Sequence, residues 1–219
     1  MISLLMFDLD GTLVDSSVDI TNALNYATEP YGFGQITPAR TITLVGEGIT
    51  CLIEKLVGEE RTGIVPDVLD RFTRYYSDHL ADFTEPYAGV RETLERLGGY
   101  RKAVISNKRE AMSRKLLGEL GLLQYFDMVL GGDSAEERKP SPVPVQKALA
   151  VFGVSPREAV MVGDSNYDIE AGRAAGVHTV AVTYGFRGIE YLKAADHIIS
   201  EIGELVRLLP AIGGAEGER

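Results

Sequence analysis

The apolar positions of this chain gather into short continuous runs. Six have strand length: residues 2–7, 103–106, 128–130, 159–162, 179–183 and 197–199. Continuous rather than alternating runs suit parallel strands that are covered on both faces. Between the later runs the spacing becomes helical, over residues 110–120, 142–152, 169–175 and 202–209. Strand alternating with helix predicts an α/β fold on a parallel sheet.

One interval breaks this alternation. Residues 8–102 separate the first strand from the second, far more chain than a crossover needs, and structureless loops of such length are uncommon. The interval carries a helical period of its own: Val18, Ala23, Leu24 and Ala27, then Leu52, Ile53, Leu56 and Val57, then Phe72, Tyr75, Tyr76 and Leu80. The pattern predicts a small all-helical domain at 16–83, inserted after the first strand. Its hinges would be the Asp-Ser-Ser turn at Ser16 and the Glu-Pro pair before Tyr87. Residues 1–15 and 84–210 then form the core. The Gly- and Glu-rich stretch 211–219 reads as a flexible, frayed tail.

Composition narrows the partners. The 219 residues, 45% of them hydrophobic, suit one large domain or one with a small accessory. Twenty-two Lys and Arg against 32 Asp and Glu give a net charge of −10, which argues against nucleic acid and anionic membranes as partners. A single cysteine, Cys51, rules out an intramolecular disulfide. The run 2–7 contains Ser3, stops at Asp8 and lacks a positive flank, so it is not a secretory signal. No apolar run approaches the roughly 18 residues of a membrane span. The expectation is a cytoplasmic protein, a monomer or weak homodimer.

The first strand ends in Asp8-Leu9-Asp10-Gly11-Thr12. Period-two alternation sends Asp8 and Asp10 off the strand end on the same side. Two close carboxylates repel unless a cation lies between them, and oxygen ligands without His or Cys favour Mg²⁺ over Zn²⁺. Gly11 permits a sharp turn whose N–H groups could face an anion; an ordinary Asp-Gly turn is the plainer alternative. Asp164 and Asp168 follow the strand 159–162, four residues apart, with Asp164 equally readable as a helix cap. Lys139 lies just before the Pro142 helix start, and Ser106-Asn107-Lys108 ends the second strand. Alone, Lys139 reads as an ordinary solvated lysine and Ser106-Asn107-Lys108 as a simple strand-to-helix turn. Together they converge on the carboxyl ends of one parallel sheet, where open α/β sheets bind ligands.

In this order, DLDGTLVDS, VISNK, RKPSP and GDSNYDIEAGRAAG resemble the four motifs of the haloacid dehalogenase superfamily. The resemblance implies a Rossmann-like core with a helical cap inserted after the first motif. It also implies a Mg²⁺-dependent phosphatase. In that pattern Asp8 is the nucleophile and Asp10 the acid/base. Asp8, Asp10 (through its backbone carbonyl) and Asp164 bind metal. Gly11, Thr12, Ser106, Asn107 and Lys139 bind phosphate, and Asp168 orients Lys139 or a metal-bound water. Softer features, including Leu44-Val45-Gly46-Glu47-Gly48 and Val182-Thr183-Tyr184-Gly185, resemble the phosphoglycolate phosphatases, whose substrate is a small anionic phosphate ester. Arg40, Gly46, Gly48 and Lys55 are the cap residues expected to meet substrate. The same chemistry serves another small ester, a pyrophosphatase or a phosphomutase; a phospho-acceptor signalling or binding module is the alternative outside enzymes.

Overall fold

The computed structural model describes residues 1–214. Eight strands are present among them: β1 Leu4–Phe7, β2 Val14–Asp15, β3 Glu85–Pro86, β4 Arg101–Ile105, β5 Met128–Leu130, β6 Ala159–Gly163, β7 His178–Val182 and β8 His197–Ile199. Six of them form one sheet in the order β5-β4-β1-β6-β7-β8, every neighbouring pair parallel. The run 2–7 shows why the sheet must be covered twice. Leu5 and Phe7 join one buried cluster, Leu4 and Met6 the other, as alternation along a strand requires.

The α-helices are α1 Ser17–Thr28, α2 Pro38–Leu44, α3 Ile49–Val57, α4 Val65–Asp78, α5 Val90–Arg96, α6 Glu110–Glu119, α7 Val143–Phe152, α8 Asn166–Ala175 and α9 Leu205–Gly214. The first four lie between β2 and β3. Within this segment α1 packs on α4 and α2, and α3 on α4. The apolar stripes read from the sequence make these contacts: Leu24, Leu52, Ile53, Phe72 and Tyr76 are all buried. The two chain connections to the segment run side by side, with Val14 opposite Pro86 and Asp15 opposite Glu85 in an antiparallel ribbon. The buried Asp19 carboxylate fastens this junction, accepting from Phe83 N, Thr84 N and Thr84 Oγ1.

Two boundaries differ from the sequence reading. The stretch 211–214 belongs to α9 rather than to a frayed tail, because Ile212 continues the stripe of Leu205 and Leu209 into the core and is only 7% exposed. Residues 215–219 lie outside the described residues. Helix α8 starts three residues before Ile169, since Ser165 and Asp168 form a capping box that the apolar period does not register. Among the described residues, no helix is long and apolar enough to cross a membrane.

Candidate active site

Strand order places the site. The sheet grows leftward from β1 through β4 to β5 and rightward from β1 through β6, so its topological switch point lies between β1 and β6. Asp8 follows β1 and Asp164 follows β6. The Asp8 N–H still donates to Val162 O at 2.9 Å, so sheet hydrogen bonding fixes the backbone that carries this side chain.

A buried lysine organises the carboxylates. Lys139 is 3% exposed, and its Nζ donates to Asp168 Oδ1 at 2.6 Å and lies 2.9 Å from Asp8 Oδ1. Asp168 in turn accepts from Ser165 N and Oγ through its other oxygen, so one carboxylate caps α8 and aims Lys139. Asp164 accepts from Thr12 Oγ1 at 3.1 Å and from Phe186 N at 2.7 Å. Carboxylate oxygens of Asp8, Asp164 and Asp168 lie within 4.8 Å of one another. Burial first, then repulsion from Asp168, pushes the Asp8 and Asp164 carboxyls well above the usual carboxylate range. A hard divalent cation among these oxygens relieves both effects, and the all-oxygen donor set fits such an ion. Asp8 and Asp164 line the cleft whereas Asp168 does not, so these two side chains are the ones an ion in the cleft would meet.

Asp10 faces elsewhere. Its Oδ1 accepts from Ser16 Oγ at 2.6 Å and from Lys108 Nζ at 2.6 Å, while Oδ2 accepts no hydrogen bond among the described residues. Asp8 and Asp10 share one cleft, yet they have different partners: Lys139 for the first, Lys108 for the second. Each carboxylate has one oxygen beside a buried lysine and one that accepts no hydrogen bond among the described residues.

Comparison with known proteins identifies the family. A family model described as haloacid dehalogenase-like hydrolase matches residues 5–182. The chain belongs to the haloacid dehalogenase-like hydrolases. It is 37% identical over 207 residues to a protein of Aquifex aeolicus named phosphoglycolate phosphatase, covering 94% of this chain and 95% of that one. A Chromobacterium violaceum protein of the same name is 40% identical, at 93% and 94% coverage. Among solved structures, a predicted phosphoglycolate phosphatase from Haemophilus somnus superposes with a TM-score of 0.88 at 30% identity, over 95% and 98% of the chains.

Several residues of this hydrolase sit differently from the sequence expectation. The Gly11 N–H donates to Val14 O and the Thr12 N–H to Leu9 O, so neither is turned toward an anion. Their contribution is to Asp164: the Thr12 hydroxyl holds it, and a Cβ on Gly11, at φ +86°, would lie 2.4 Å from Asp164 Oδ2. Asn107 has both ends of its amide engaged. It donates to Gly46 O at 2.7 Å and Lys139 O at 2.8 Å and accepts from Lys139 N, so it ties backbones together. Ser106 lines the cleft, its hydroxyl accepting from Lys108 N. Gly46 and Gly48 also line it, but Arg40 is exposed on α2 outside the lining, and Lys55 pairs with Glu47 at 2.6 Å.

Sequence reasoning missed Glu47, Lys108, Tyr76, Tyr167 and Arg187. Glu47 is the hub of the loop between α2 and α3. Its carboxylate accepts from the Tyr167 hydroxyl at 2.5 Å and the Cys51 thiol at 2.7 Å, while Arg138 donates to its carbonyl and Arg187 to that of Ile42. The Cys51 thiol foremost, then Lys55 and Tyr167, hold this carboxyl at about 2 instead of the usual 4.5. A depressed value means that the stabilisation is present above pH 4.5 and is lost as pH falls toward about 2. Glu47→Gln imitates that loss at neutral pH. We expect amide exchange at residues 45–48 to quicken about two- to tenfold, a modest effect because the group is partly exposed, with β1 and β6 unchanged. Unaltered exchange in the loop would remove Glu47 from this role.

Proposed function

We propose that this phosphoric monoester hydrolase converts 2-phosphoglycolate to glycolate and phosphate through a phosphoryl group carried on Asp8. The observation that carries the reading is the placement of Lys139 between Asp8 and Asp168, with Asp164 and Asp10 flanking the nucleophile in one cleft. The substrate is supported by relatives of that name matched along almost their whole length.

An Asp8 oxygen attacks phosphorus in line; the new Asp8–O–P bond forms as the ester P–O bond breaks. Asp10, through its open Oδ2, gives a proton to the leaving oxygen and then takes one from the water that cleaves the acyl phosphate. Lys139, aimed by Asp168, and the Ser106 hydroxyl stabilise the charge on the phosphoryl oxygens. Asn107 keeps Lys139 and the Gly46 loop in register. Asp8 and Asp164, with the Asp10 carbonyl, would hold Mg²⁺, which when bound offsets the repulsion between carboxylate and phosphate. The helical segment 16–83 acts as the cap that closes the cleft and excludes water.

The test is phosphate release, with and without Mg²⁺, from 2-phosphoglycolate, pyrophosphate, sugar phosphates and nucleoside monophosphates. We expect Mg²⁺-dependent release with 2-phosphoglycolate preferred at least tenfold. Preference for another ester withdraws that substrate and keeps the chemistry. No Mg²⁺-dependent release from any ester contradicts both.

A further inference from the structure

We infer that Lys108, with the Tyr76 hydroxyl beside it, receives the carboxylate of the leaving group and makes the site selective for small phosphate esters with a carboxylate on the ester carbon. The inference rests on the phosphatase reading above and adds the residue that sets its substrate class.

The side chain of Lys108 is 7% exposed, yet it belongs to the wall of the cleft. Its ammonium donates to Asp10 Oδ1 at 2.6 Å and to the Tyr76 hydroxyl at 2.8 Å. An ammonium has three donors, so one is left for a further acceptor. Ile20, Leu52 and Phe72 form apolar wall nearby in the same cleft, where a charge-assisted bond counts for more than in water.

Position selects the acceptor. Asp10 serves the ester oxygen, and Lys108 is bonded to Asp10. In a phosphorylated 2-hydroxy acid, the carboxyl carbon is two bonds from that oxygen. A leaving group within reach of Asp10 therefore brings its carboxylate beside Lys108. A neutral alcohol offers this donor nothing of matching charge.

The other cations suit the task less well. Arg187 is committed to the carbonyls of Ile42 and Val45. Arg109 lines the cleft but is exposed, where solvent weakens any ion pair. Arg40 and Lys55 are not part of the lining. Tyr76, from α4, reaches Lys108 across the cleft, so the donor is shared between the helical segment and the sheet core.

The test compares kcat/KM for 2-phosphoglycolate and 2-hydroxyethyl phosphate, which replaces the carboxylate by a neutral hydroxymethyl group. Wild type should prefer the first by about ten- to a hundredfold, the range of one charge-assisted hydrogen bond. Lys108→Met lowers turnover of both through Asp10, and the preference falls to within about threefold of unity; Lys108→Arg keeps part of it. Because Lys108→Met could stall chemistry altogether, calorimetric affinities for the two esters are also measured in an Asp8→Asn background, with and without Lys108→Met. The same collapse is expected there.

A preference that survives Lys108→Met in both assays, or that vanishes in Arg109→Met instead, overturns the inference and leaves the phosphatase reading intact. A wild type that turns over both esters without preferring the carboxylated one overturns the inference and the 2-phosphoglycolate assignment together. Absence of phosphate release from either ester counts against the phosphatase reading itself.

Discussion

Asp8→Asn abolishes turnover, lowering phosphate release by about a thousandfold or more, as removal of a covalent nucleophile does. The amide keeps the shape of the side chain but lacks the anionic oxygen that attacks phosphorus. The fold should not suffer. Burial and the neighbouring Asp168 raise the carboxyl of Asp8, so its charged form is a net cost to the folded protein above the usual carboxylate range. In metal-free buffer at neutral pH, the variant should therefore unfold at the same temperature as wild type or higher. Thermal denaturation beside steady-state phosphate release checks both halves. Residual activity near wild type would remove Asp8 from the nucleophile's role; a large fall in melting temperature would show that its position is structural.

Lys139→Met gives the opposite combination, with activity and stability lost together. Lys139 is the cation for two acids, and Asp168 is 1% exposed. Burial alone would lower the lysine's proton affinity; the attraction of Asp168 and Asp8 overcomes this and raises it. Removing one partner of a buried ion pair leaves the other uncompensated, at a cost of about 3–5 kcal/mol. A urea titration should show this as a lower midpoint with an unchanged slope. Phosphate release should fall at least about a hundredfold, because the transition state loses a fixed positive charge. A variant as stable as wild type would mean that the Asp8–Lys139–Asp168 arrangement does not bear on the fold.

The positions of Asp8 and Asp164 were legible because each lies just past an apolar run, and strand ends at a switch point are where α/β sheets bind ligands. The helices within 16–83 were legible for a similar reason: period and interruption are local properties of a chain. Lys108 was not. Its partner Asp10 lies 98 residues earlier, and no spacing encodes a contact of that range. Tyr76 was hidden by its own helix, since Phe72, Tyr76 and Leu80 form an ordinary buried stripe and only the hydroxyl tip reaches Lys108.

At several expected site residues the structure shows partners that the sequence does not. Gly11 and Thr12 read as anion-facing turn residues, yet their N–H groups close the turn on Val14 and Leu9 and leave the glycine's missing side chain as the feature that matters. Asn107 reads as a phosphate ligand; its side-chain amide is taken up by Gly46 and Lys139, which the sequence does not show. Lys55 read as a substrate contact and is held by Glu47, a neighbour only eight residues away. In each case residue type and position were legible, and the hydrogen-bond partner was decided by whichever group the fold brought nearest.

The central claim is that the phosphoryl group passes through Asp8. Its most direct test mixes the enzyme with Mg²⁺ and 2-phosphoglycolate, quenches in acid on the millisecond scale, and maps peptides by mass. The account predicts a transient peptide heavier by one phosphoryl group, with the addition on Asp8 and absent from Asp8→Asn. Full-rate phosphate release with no phosphorylated peptide at any quench time, or with the phosphoryl group on another residue, would contradict it.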